Sequence, residues 1–298
     1  MKVRAVLFVL IMLLMASMAQ AAQVGDQADH TAGEVLFQMR HAPAAEFITG
    51  MDDAETASVE QPFWIAETQV TYELWYTVKQ WALANGYTFV NEGQEGSHGS
   101  IGGIPTAKRN QPVTVVSWAD SIVWCNALSE MLDYQPVYAY QGSVIKDAGN
   151  WAAWDHTVQG DTDGFRLPTS MEFELAARYR GNEMSADAVE VAGLYWTPAS
   201  HASGAGANFM DAATTAGVAW FYAEGTEDVG LKSANALGLY DMSGNVWEWT
   251  FTQLGPGRIF RGGSWNLCPC AQTVAGAFGC VPDYAGSTFG FRFARTQF

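Results

Sequence analysis

The run Gly238-Leu239-Tyr240-Asp241-Met242-Ser243-Gly244-Asn245-Val246-Trp247-Glu248-Trp249 restricts the fold more than any other stretch of this chain. Ser243-Gly244-Asn245 is a turn signal. Val246 to Thr250 then alternates as a strand does, with Trp247 and Trp249 on one face. Asn245 and Glu248 offer oxygens of the kind calcium accepts, helped by carbonyls of the turn. A local cap or salt bridge by Glu248 is the competing reading, because two oxygen side chains fall short of calcium's usual ligand set.

A second stretch, Arg261 to Arg292, has motif-like ends and an irregular middle. Arg261-Gly262-Gly263-Ser264-Trp265 opens it and Gly290-Phe291-Arg292 closes it. The middle holds Cys268, Cys270 and Cys280, three of the chain's four cysteines. Four cysteines in 298 residues are too few for a disulfide scaffold.

The rest of the chain reads as short strands and a few helices. Val35, Phe37 and Met39 alternate, and Phe47-Ile48 and Pro62 to Ile65 suggest further strands. A helix is predicted from Thr71 to Ala84, where Leu74, Trp75, Val78, Trp81 and Ala82 form one apolar stripe and Asn85-Gly86 ends it. Ser117 caps a second helix, with Asp120 in its first turn and Ile122, Cys125, Leu128 and Leu132 on one face. Cys125 is therefore a packing residue. Thr169 and Glu172 form a capping box that opens a third helix through Tyr179, with Phe173, Ala176 and Ala177 facing inward. Residues 22–34 read as a flexible lead-in, 91–105 as a surface loop and 199–217 as irregular surface. No Pro-rich linker divides residues 35–298, so one α+β domain is expected.

Lys2 and Arg4 precede an apolar run, Ala5 to Met15, and Ala19-Gln20-Ala21 is an A-x-A cleavage site. This reads as a secretory signal peptide over residues 1–21, which implies an exported protein, periplasmic, cell-surface or secreted. The formal net charge of -16 becomes more negative once the two positive charges of the leader are removed. That acidity argues against nucleic acid as a partner, and no hydrophobic run is long enough for membrane insertion.

The motifs GLYDMSGNVWEW, RGGSW and GFR resemble those of the formylglycine-generating-enzyme type of domain, as do QPVTVVSWADSIVWCNALSE and GFRLPTSMEFELAAR. The resemblance runs from about residue 35 to the end. It implies an α+β variant of the C-type lectin-like fold and places the family's calcium site on Asn245 and Glu248. It also shows where the chain departs from the family's copper-dependent oxidases. Their two cysteines would fall at Leu267 and Gln272, and neither is cysteine here. The His-x-x-x-His-x-Glu set of the related sulfoxide synthases is absent too, since His30, His41, His98, His156 and His201 do not have that spacing.

Within this fold the chain is most similar to variable proteins of diversity-generating retroelements. There an error-prone reverse transcriptase rewrites template adenines, so that Asn codons become NNY codons. NNY cannot encode Lys, Glu, Gln, Met or Trp. Between Asn266 and Phe289 only Gln272 belongs to that set. The resemblance implies a non-enzymatic ligand-binding protein with a variable region at about 266–289. Its candidate ligand-binding residues are Leu267, Cys268, Pro269, Cys270, Thr273, Gly276, Phe278, Gly279, Cys280, Val281, Tyr284, Gly286, Ser287, Thr288 and Phe289. Gly262, Gly263, Trp265 and Phe291 would be frame. The expected partner is an extracellular protein or glycan. A copper-dependent thiol oxidase with a shifted cysteine pair is the alternative. For the cysteines, a Cys268–Cys280 bridge and copper(I) binding by Cys268-Pro269-Cys270 stay open, while a Cys268–Cys270 bridge is expected to be strained.

Overall fold

The computed structural model describes residues 22–154, 157–159 and 161–296. The expected signal peptide lies outside the described residues, as does His156. The strands that position the site are, in chain order, β1 (Gln27–Ala32), β2 (Val35–Ala42), β3 (Ala45–Thr49), β4 (Glu55–Val59), β5 (Phe63–Ala66), β6 (Phe165–Arg166), β7 (Trp247–Leu254), β8 (Gly257–Arg261), β9 (Ala277–Cys280), β10 (Phe289–Gly290) and β11 (Ala294–Thr296). The longer helices are α1 (Tyr72–Ala84), α2 (Trp118–Met131) and α3 (Ser170–Arg178).

A five-stranded sheet has the order β1-β2-β5-β11-β6, with every neighbouring pair antiparallel. A four-stranded sheet has the order β9-β8-β7-β10, antiparallel except for β7 and β10. The C-terminal strand β11 thus lies inside a sheet that begins at the other end of the described chain. Residues 27–32, expected in a flexible lead-in, instead pair along their length with β2. The alternation of His30 and Ala32 toward the interior is short and polar, so the sequence pattern hides it.

Each helix forms for the reason its caps suggest. Thr71 accepts a hydrogen bond from the Leu74 amide, and both Ser117/Asp120 and Thr169/Glu172 close full capping boxes. The third helix stops at Arg178, one residue short of the expected Tyr179, which goes on into a short strand. Asp120 does more than cap: its carboxylate also takes the amides of Val90 and Asn91, tying down the loop that follows α1. That loop is not all surface, because Glu95 and Ser97 are buried. Residues 199–217 likewise carry buried His201, Ala202 and Ser203 and a short helix, Ala212–Ala216.

Two packed clusters make the core. In one, Trp75 and Trp124 of α1 and α2 stack at 6.3 Å, and Phe291 meets both edge-on. Cys125 is fully buried there, and burial pushes its thiol well above its ordinary pKa. The other joins the β3–β4 hairpin to α3 through Phe47, Phe173 and Trp196. No helix among the described residues is long and apolar enough to cross a membrane.

Candidate functional site

The irregular segment hangs between two buried ion pairs. At its start Arg261 is bound to Glu174 of α3 at 2.6 Å and to the Ser170 hydroxyl at 2.7 Å. At its end Arg292 is bound to Glu248 of β7 at 2.6 and 2.9 Å. All four charged side chains are nearly inaccessible, so each compensates its partner where water cannot. Gly263 completes the frame. Its φ is +86°, and a Cβ would meet the Gln272 Oε1 at 2.1 Å and the Ala271 carbonyl at 2.7 Å, so only glycine fits.

Between these anchors the chain touches the surface twice. Cys268 to Ala271 makes a 3-10 turn (Pro269–Ala271), and Cys268 and Cys270 are joined by a disulfide across it. The turn brings their Cα atoms to 5.2 Å, inside the range a bridge requires, so the Cys268–Cys280 alternative is corrected. Bridged, the pair offers no thiolate to copper(I), and Cys280 is a free, half-buried thiol. Residues 272–276 then dip inside. Gln272 donates to the carbonyls of Ser264 and Cys268, and the Val274 amide donates to the His201 carbonyl. The chain resurfaces in β9, the edge strand of its sheet.

This path sorts the expected contact residues. Cys270, Phe278, Gly279, Val281 and Tyr284 are exposed. Leu267, Cys268, Pro269, Cys280, Gly286, Ser287 and Thr288 are half-buried. Thr273, Gly276 and Phe289 are buried and leave the candidate surface. Phe289 is instead a base. Its ring lies 4.8 Å from Phe260, 5.2 Å from Trp249 and 5.0 Å from exposed Tyr284. Phe278 leans on Trp247 at 5.5 Å and stacks on Phe260 at 6.0 Å. The exposed rings therefore rest on packed aromatic side chains rather than on loop backbone, which limits the entropy they lose on contact.

Tyr222 also belongs to this surface, although it lies outside the irregular segment. It is 70% exposed, has φ +46°, and its amide donates to the Leu267 carbonyl at 3.0 Å. The aromatic run Trp220-Phe221-Tyr222 was the sequence signal for it.

Asn245 and Glu248, the expected cation ligands, are both engaged with protein groups. The Asn245 side chain exchanges two hydrogen bonds with the Glu227 backbone. Both Glu248 oxygens are taken by Arg292, and one also by Gln69. Oxygen donors do gather next to them, around the Gln69 amide nitrogen. The carbonyls of Asp241, Gly244 and Val246 and the Glu248 Oε1 lie 2.9–3.2 Å from it. An amide nitrogen has two hydrogens for these four acceptors, while the buried Gln69 Oε1 and Asp241 Oδ1 have no hydrogen-bond partner. Burial raises the Asp241 carboxyl to about 6. These are oxygens of the kind a hard cation accepts. No group of three or more His, Cys, Asp or Glu side chains is placed to hold a metal among the described residues.

Comparison with known proteins follows this geometry. The model of the sulfatase-modifying factor enzyme 1-like domain matches residues 21–297. The chaperone protein LppX of Paenibacillus barcinonensis is 32% identical over 178 residues, covering 52% of this chain and 59% of that protein. The inactive C-alpha-formylglycine-generating enzyme 2 of Mus musculus is 29% identical over 211 residues, covering 64% of this chain and 58% of that protein. The matched part spans less than two thirds of either relative. Treponema denticola variable protein 1 has a solved structure similar to this one, with a TM-score of 0.68 at 27% identity over 91% of this chain and 99% of that chain.

Proposed function

The chain belongs to the family of sulfatase-modifying factor enzyme 1-like domains, and from that premise we propose that it is a non-catalytic, exported ligand-binding member whose 266–289 surface is diversified by a retroelement. The observation that carries this reading is the arrangement of the segment. Its ends are buried and ion-paired, and its exposed rings rest on aromatic side chains of the sheet beneath them. The likeness to a variable protein and to an inactive enzyme supports it. Against the oxidase alternative, Leu267 and buried Gln272 stand where the two cysteines are needed, and the shifted pair is already bridged.

The ligand surface of this reading is Leu267, Cys270, Phe278, Gly279, Val281 and Tyr284, with Tyr222 as a contact that does not vary. The partner is a protein or glycan outside the cytoplasm. Two measurements test the reading separately. The neighbouring DNA should hold a near-copy of this 3′ end, differing where the copy has adenine, beside a reverse-transcriptase gene. Without it the diversification claim falls and the binding claim stands. A screen of exported proteins and glycans should yield a saturable ligand whose binding is lost in a Phe278→Ala/Tyr284→Ala variant. A ligand bound equally by that variant would move the site elsewhere.

Calcium is proposed at the oxygen cage, held by the carbonyls of Asp241, Gly244 and Val246, Glu248 Oε1 and the Gln69 carbonyl. Its role would be structural, fixing the turn that leads into β7. Millimolar calcium should raise the melting temperature relative to chelator, since an ion bound only by the native state stabilises it. Gln69→Ala should abolish the rise. An unchanged wild-type melting temperature would return the cage to the Gln69 amide alone.

A further inference from the structure

The Cys268–Cys270 disulfide is placed as a reagent rather than as a staple. It closes the shortest of loops, with a sequence separation of 2. The entropy such a loop removes from the unfolded chain is small. The backbone around it is fixed by other bonds. The Tyr222 amide holds the Leu267 carbonyl at 3.0 Å, and the Gln272 side chain holds the carbonyls of Ser264 and Cys268 at 3.1 Å. None of those bonds involves a sulfur atom. Cys270 is exposed and Cys268 half-buried.

We propose that this surface captures a cysteine-bearing polypeptide covalently, by thiol–disulfide exchange at Cys270. This rests on the ligand-binding reading above and names a chemistry for it. A thiolate of the partner attacks the Cys270 Sγ. The Cys268–Cys270 bond breaks, its electron pair leaves on Cys268 as a thiolate, and a Cys270–partner disulfide forms. No outside oxidant is needed, because the bridge is the oxidant and Cys268 is the reduced product. The Cys268 thiolate stays two residues away and can return, so capture is reversible. The formal charge of -16 favours a basic or neutral peptide over an anionic thiol such as glutathione.

The test incubates the full, oxidised chain with a basic peptide containing one cysteine, followed by non-reducing mass spectrometry. One peptide per chain is expected, removable by dithiothreitol, attached at Cys270, with Cys268 newly open to alkylation. At low salt the basic peptide should react roughly tenfold faster than glutathione, and salt should erase the difference. Cys280→Ser should keep the adduct, and Cys268→Ser/Cys270→Ser should lose it. An adduct on Cys280, an adduct surviving in the double variant, or no adduct at all overturns the proposal. None of those outcomes touches ligand binding, which the Phe278/Tyr284 variant tests without any thiol.

Discussion

Gly263 and Val281 mark the two extremes of tolerance within one segment. Gly263→Ala forces a Cβ to within 2.1 Å of Gln272 Oε1 at a φ of +86°, so it should lower stability by at least about 1–3 kcal/mol in a urea titration. Val281→Ser, half exposed on the rim, should change it by no more than about 0.5 kcal/mol. Asp187 provides a pH-dependent case. Partial burial pushes its carboxyl up, but hydrogen bonds from Ser185 and His201 outweigh that and hold it below its usual value. A depressed carboxylate stabilises above its unfolded pKa, and the contribution is lost as pH falls through the folded one. The wild-type urea midpoint should therefore drop below about pH 4, and Asp187→Asn should flatten that drop. At this scale the sequence was a mixed guide. The helix caps were legible because their partners lie a few residues away. Thr273, Gly276 and Phe289 were misjudged as surface because nothing local distinguishes a dip inward from a loop.

The element that most governs the site is β7. It receives β8 on one side and β10 on the other, so it carries both borders of the irregular segment in register. Glu248, within it, is the counterion of Arg292, and both are fully buried. Arg292→Met leaves that carboxylate buried without a cation and should cost about 3–5 kcal/mol by urea unfolding. Glu248→Gln/Arg292→Met should recover a large part of the loss, because removing both charges avoids the orphan. The strand and its turn were readable from their alternation. The reason for its glutamate was not. Two oxygen side chains three positions apart suggest a shared ligand, whereas the arginine that claims one of them is distant in sequence. The strand β1 escaped notice for a related reason, since its pairing partner supplies the apolar face that its own residues lack.

As a whole molecule, this is a C-type lectin-like fold of the formylglycine-generating-enzyme type, in which the border motifs serve the scaffold and the filling serves the surface. The motif order was sufficient to identify that scaffold, because turns and buried ion pairs constrain residue identity strongly. The exposed filling carries no such constraint, and for that reason it gave no reading of what it contacts. The strand β11 follows the irregular segment along the chain, yet it lies inside the first sheet between β5 and β6. A stop codon or frameshift introduced upstream would delete that central strand together with Arg292. The ribosome would release a chain unable to close its first sheet, so an intact reading frame through the irregular segment is a condition of folding.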